Sequence, residues 1–115
     1  MNIPELLRWQ WSTYPANHTT RANLLIHIVV VPLFLLGNVG LVLALLQGSL
    51  WPGIASAAAM LVSMALQGRG HKLEALPPEP FTGPLIVIGR IFFEQWLTFP
   101  RFVLSGAWWR ALRQR

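Results

Sequence analysis

The longest apolar run in the chain is LLIHIVVVPLFLLGNVGLVLALL, residues 24–46, which contains one histidine and one asparagine and no charge. At about 1.5 Å per residue a helix of this length extends roughly 35 Å, enough to cross a bilayer core with some tilt. Pro32 frees one backbone carbonyl and predicts a kink, while Gly37 and Gly40 let a second helix approach closely. A second run, about 50–66, carries Ala55, Ala59 and Ser63 at helical spacing, a small-residue stripe suited to such an approach. The QGSL between the runs predicts a tight uncharged turn, so the two form a transmembrane hairpin.

The flanks read differently. Residues 3–12, IPELLRWQWS, set Leu6, Leu7, Trp9 and Trp11 among Glu5, Arg8 and Gln10, the pattern of an amphipathic helix lying at the bilayer surface. YPANHTTRAN follows, rich in caps and turns, with Thr19 or Thr20 placed to cap the first long helix. Residues 67–84 form a Gly- and Pro-rich polar loop. A third apolar segment, about 85–109, is interrupted by Arg90, Glu94, Pro100 and Arg101. A single crossing would put Arg110, Arg113 and Arg115 on the side opposite the other cations, so the segment is expected to be bent or re-entrant, broken at Pro100. The expected fold is therefore all-α: one membrane domain over 1–115, a small integral membrane helical bundle.

Composition agrees with this pattern, since 54% hydrophobic and 11% charged residues would leave a soluble domain of 115 residues with intolerable apolar patches. The net charge of +5 comes from residues that flank apolar runs instead of interleaving with aromatics, which argues for membrane lipid and against nucleic acid as partner. The turn of the hairpin is uncharged, whereas its open end carries Arg8, Arg21, Arg69 and Lys72, so both termini are expected in the cytoplasm. With no cysteine, thiolate chemistry and Cys-ligated metals are excluded. No cleavable leader is expected, because the first long apolar run starts only at Leu24.

The chemistry-bearing residues gather at the same open end. His18, His27 and His71 are the only histidines, and the hairpin brings all three there, His27 about one turn inside the first span. A lone interfacial histidine is usually a snorkelling residue or a cap, but three converging imidazoles can hold a divalent metal. Asn23 and His27 share a helix face, as do His71 and Glu74, whereas His18 falls on the opposite face of a continuous helix and joins only if the chain bends. Arg90 and Glu94 would each cost roughly 2.5–3.5 kcal/mol near the bilayer centre, so they are expected to face protein or each other. A mutual salt bridge is the simpler reading. The functional one gives Arg90 to a substrate carboxylate and makes Glu94 or Gln95 an orienting group behind the site.

Three blocks together resemble a known family: YPANHTTRANLLIHIVVVP from Tyr14 to Pro32, QGRGHKLEALPPEP from Gln67 to Pro80, and RIFFEQWLTFPRFVLSGAWW from Arg90 to Trp109. They are similar to the Mpo-like 2-hydroxy fatty acid dioxygenases, and to the bacterial branch in particular. The resemblance implies an iron(II) enzyme that uses O2 to shorten a long-chain 2-hydroxy fatty acid by one carbon, in fatty acid α-oxidation. It implies His18, His27 and His71 as ligands, Asn23 and Glu74 as matching site residues, Tyr14 as a supporting one, and a bacterial inner membrane location. Ala75 stands where relatives often carry Lys or Arg, so carboxylate binding falls to Arg69, Lys72 and Arg90. Two other readings stay open at this stage. One is a zinc-dependent lipid hydrolase, because three histidines and a glutamate also suit a metal-activated water. The other is a non-enzymatic membrane or lipid-binding subunit; either is compatible with a homo-oligomer.

Overall fold

The computed structural model describes residues 2–80 and 83–114. Every regular element among them is helical. The first, α1 (Ile3–Thr13), starts where the Asn2 side chain accepts from the Glu5 N–H at 2.9 Å, a short polar cap of the usual kind. A 3₁₀ turn at Pro15–Asn17 leads to His18, whose backbone (φ −136°, ψ 66°) is not helical. The bend that His18 requires lies at this point. Thr20 then caps α2 (Arg21–Gln47), its Oγ1 accepting from Asn23 N–H, so the helix begins three residues before the apolar run does.

Gly48 ends α2 in the left-handed conformation (φ 63°), where the lack of a Cβ avoids the steric cost, and the Ser49 N–H closes the turn on the Ala44 carbonyl. The return helix α3 runs Leu50–His71, five residues beyond the second apolar run. Glycines at 68 and 70 would weaken an isolated helix. Here Gln67 and Gly70 are buried, and their contacts carry the helix through to His71. Both α2 and α3 are long and apolar enough to cross a membrane, and most of their apolar surface points outward.

The α2–α3 contact is close because of glycine. A Cβ on Gly37 would sit 2.7 Å from Met60 Cγ and 2.9 Å from the Ser56 carbonyl, and one on Gly40 would collide with the Ser56 hydroxyl. The face of α3 that meets α2 is therefore Ser56, Met60 and Ser63. Of the expected stripe, Ser63 belongs to it and donates to the Val30 carbonyl, but Ala55 is exposed. The register is set by where α2 has glycines to receive α3, which the alanine spacing alone does not reveal.

The third apolar segment is α4 (Pro84–Phe93), a π-helical turn at Glu94–Thr98, and α5 (Phe99–Leu104), followed by α6 (Ala107–Arg113). Pro100 does not break it. The wider π turn just before it accommodates the missing N–H, and the chain bends instead at Gly106, in the left-handed region with φ 85°. The segment begins and ends near the open end of the hairpin. Gln10 of α1 donates to the Arg90 carbonyl at 2.8 Å and accepts from the Thr98 hydroxyl at 2.8 Å, while Trp108 of α6 donates to the Leu24 carbonyl at 3.0 Å. Between these ties lies the buried core of Tyr14, Leu24, Val31, Phe99, Phe102 and Trp108. Phe81 and Thr82 of the expected polar loop and Arg115 of the basic tail fall outside the described residues.

Candidate metal centre

His18, His27 and His71 come from three different local structures and meet at one point. His18 leaves the 3₁₀ turn, His27 lies in the second turn of α2, and His71 is the last residue of α3. Their rings are edge-on to one another with centroids 4.6 to 4.9 Å apart, and one potential ligand atom from each lies within 4.8 Å of the other two. His18 and His27 are almost wholly buried, so neither nitrogen of either ring is served by bulk solvent.

The hydrogen bonds decide which nitrogens are available. His18 Nδ1 lies 2.8 Å from the Tyr14 carbonyl and His27 Nδ1 lies 3.0 Å from the Asn23 carbonyl. A carbonyl only accepts, so each Nδ1 carries the proton and each Nε2 keeps a lone pair. Those Nε2 atoms, and Nδ1 of His71, are buried with no hydrogen-bond partner among the described residues. Three buried acceptors without donors are costly for a fold to retain, and one cation among them satisfies all three. The donor set, three neutral imidazoles, suits iron, zinc, copper or nickel better than calcium or magnesium. Burial, followed by the adjacent His27 and His71, holds the His18 pKa well below that of a free imidazole, against the opposing pull of the Tyr14 carbonyl, and so keeps the ring in its ligating neutral form.

Behind the rings, Glu74 fastens the bend. One carboxylate oxygen accepts from the Thr19 N–H (2.9 Å) and hydroxyl (2.8 Å), the other from the Thr20 N–H (3.0 Å), the Thr20 hydroxyl (2.9 Å) and the Asn23 amide (2.9 Å). Burial raises the carboxyl pKa, but these donors outweigh it and hold it below the usual value. Asn23 completes the link. Its Oδ1 abuts Gly70, where any Cβ would collide with it, so the Asn23 amide of α2 lies directly against the α3 backbone one residue before His71. Tyr14 lies flat on His18, with centroids 3.7 Å apart and planes 9° from parallel, and its buried hydroxyl has no partner among the described residues. Burial, then the neighbouring Glu94 charge, pushes that phenol well above its ordinary pKa.

Beside His71 opens a cavity of about 310 Å³ lined by Met64, Gln67 and Gly68 of α3, Arg90, Ile91 and Glu94 of the third segment, and Pro78 and Glu79 of the loop. Arg90 and Glu94 thus stand at one cavity. The Arg90 guanidinium also donates to the Glu79 carbonyl at 2.9 Å and the Pro80 carbonyl at 3.2 Å, and it sits 4.8 Å over the Trp9 ring. Arg69 and Lys72 are exposed and do not line the cavity, because α3 turns them away from the face that carries Gln67 and His71. Gln95 forms a reciprocal amide pair with Gln67, at 2.9 and 2.7 Å. Gln67 also donates to Ser63 at 3.0 Å. The sequence pattern assigned Gln67 and Gln10 no place at the site and marked Thr19 and Thr20 only as helix caps, a role Thr20 does fill. The signal for Gln67 was present: an amide one turn before His71, on the same helix face.

No protein-family model, curated protein or solved structure matches the chain.

Proposed function

We propose that this chain is an integral membrane, iron(II)-dependent dioxygenase that converts a long-chain 2-hydroxy fatty acid into the fatty acid one carbon shorter. The observation that carries this reading is the set of three buried imidazole nitrogens, one from each histidine, with no hydrogen-bond partner among the described residues. The three blocks that resemble the 2-hydroxy fatty acid dioxygenases supply every residue of that set, along with Tyr14, Asn23, Glu74, Arg90 and Gln95. Two outward-facing apolar helices support a place in the bilayer, and the cations at the histidine end support a cytoplasmic face. The bacterial-branch resemblance favours an inner membrane.

In the overall reaction one O2 accepts four electrons: the C1–C2 bond breaks, the carboxyl carbon leaves as carbon dioxide, the hydroxyl carbon becomes the new carboxyl, and one water forms. His18, His27 and His71 would hold the iron(II), which would supply the redox chemistry between oxygen and the 2-hydroxy acid. The Tyr14 and Asn23 carbonyls fix two ring tautomers, and Glu74 holds the bend that delivers His18. Arg90 lines the adjacent cavity beside Glu79 and Glu94, and its guanidinium is the group there with which a substrate carboxylate would pair. Gln67, on the cavity wall, is tied to Gln95 of the π turn by the reciprocal amide pair, which holds α3 and the third segment together beside His71.

The zinc hydrolase reading requires Glu74 to take a proton from water. Both of its oxygens are already engaged by five donors of the Thr19–Asn23 segment, which disfavours that role. The test is to purify the protein without added metal, load it with iron(II), and supply O2 and 2-hydroxypalmitate. Pentadecanoate formation coupled to oxygen consumption is expected, and folded, iron-loaded protein that yields none would sink the assignment.

A further inference from the structure

The cavity beside His71 has a mixed lining. His71, Arg90, Glu94 and Glu79 bring ionisable groups to it, while Met64, two turns back along α3 toward the Gly48 turn, and Ile91 present only hydrocarbon. A volume of about 310 Å³ lies at the low end of the roughly 300–1,000 Å³ typical of ligand pockets, so it receives a polar head and the start of a chain, not a whole long-chain lipid. The rest of such a chain has to leave the protein.

Gly68 marks where it leaves. It is exposed, it lines the cavity, and its backbone is ordinary helix, so no left-handed conformation calls for glycine there. Packing does not call for it either. A Cβ on Gly37, Gly40 or Gly70 would strike a neighbour, whereas a Cβ on Gly68 meets nothing within 4 Å among the described residues. What this glycine leaves open is space between α3 and α4, on a flank where Leu61 is also exposed. We propose that Gly68 sets the width of a lateral entrance between α3 and α4, through which a single-tailed anionic lipid of the fatty acid class reaches the histidines, its head toward His71 and Arg90 and its chain past Met64 and Ile91. The identity of the reacting lipid rests on the function proposed above; the entrance itself does not.

Binding is therefore tested without turnover. The iron-loaded full chain, in phosphatidylcholine nanodiscs, is photolabelled with palmitic acid bearing a mid-chain diazirine, and the adducts are mapped by mass spectrometry in the wild type, Gly68→Ala, Gly68→Leu and, on the exposed face of α2, Leu36→Trp. Adducts are expected on Met64, Ile91 and their neighbours, reduced in Gly68→Ala, lost in Gly68→Leu and unchanged in Leu36→Trp, with iron content constant. Labelling that ignores both Gly68 substitutions, or that spreads evenly over the outer faces of α2 and α3, overturns the entrance. Should Gly68→Leu fail to hold iron, the single methyl of Gly68→Ala and the wild-type adduct map decide. Labelling as expected without pentadecanoate from the hydroxy acid would leave the entrance standing and remove the oxygenase reading.

Discussion

Tyr14 holds His18 in two ways at once: its carbonyl accepts the Nδ1 proton at 2.8 Å, and its ring lies flat on the imidazole at 3.7 Å between centroids. Phenylalanine retains both contacts. Tyr14→Phe is therefore expected to keep its metal, whereas Tyr14→Ala, which loses the stack, should bind metal about 10–100-fold more weakly, the usual effect of losing a group that orients a ligand. Metal titration of the two variants, in the same detergent, checks this.

Glu74→Gln replaces an acceptor of five hydrogen bonds with a group whose NH2 opposes the Thr19 or Thr20 donors. A hydrogen bond to a charged group contributes about 1.5–3 kcal/mol, so a loss of at least about 2 kcal/mol of stability is expected, together with weaker metal binding as His18 loosens. Thermal unfolding with and without metal separates the two effects. Unchanged metal affinity would contradict the fastening role.

Two neighbouring glycines should respond in opposite directions. Gly70→Ala drives a methyl into Asn23, whose amide is held by Glu74, and should destabilise by about 1–3 kcal/mol. Gly68→Ala meets open space and should stabilise by roughly 0.5–1 kcal/mol through helix propensity. A melting-temperature comparison reads both signs.

Acid should weaken the metal-free protein in two stages. The folded pKa of His18 lies below that of an unfolded histidine, so the unfolded chain takes the proton first; stability is full above about pH 6.5 and falls as the pH drops toward the folded value. Glu74 is also depressed, and its contribution is present above the unfolded carboxyl value of about 4.3 and lost as the pH falls through the folded one. Melting curves from pH 8 to pH 2.5 after chelation should decline monotonically, and a flat profile between pH 7 and pH 4.5 would contradict the burial of His18.

The Gln67–Gln95 pair predicts non-additivity. Either single change to Leu strands a buried amide and should cost about 1–2 kcal/mol, while the double change strands none and should cost less than the sum. A double-mutant cycle in one detergent tests it.

Helices α2 and α3 were legible because nothing competes with a long apolar run bounded by Thr20 and Gly48. The grouping of His18, His27 and His71 was legible from topology, since a hairpin carries residues far apart in sequence to one end. Other features depend on contacts that spacing does not encode. Which ring nitrogens face inward follows from the Tyr14 and Asn23 carbonyls. The bend at Gly106 instead of Pro100 follows from a π turn whose inward-facing Gln95 and Thr98 find partners on α3 and α1. Arg69 and Lys72 share the sequence neighbourhood of His71 but not its helix face.

The three histidines of this centre lie on both arms of a hairpin and on the bend ahead of it, so the site has no local precursor. An isolated α2 would offer a metal one imidazole, and the α2–α3 hairpin two until Glu74 draws in the bend. A metal held there would act as a clasp, captured last during assembly and released first on acid or chelator. Such treatment should empty the centre while the two apolar helices remain seated, leaving a protein that can be reloaded in place.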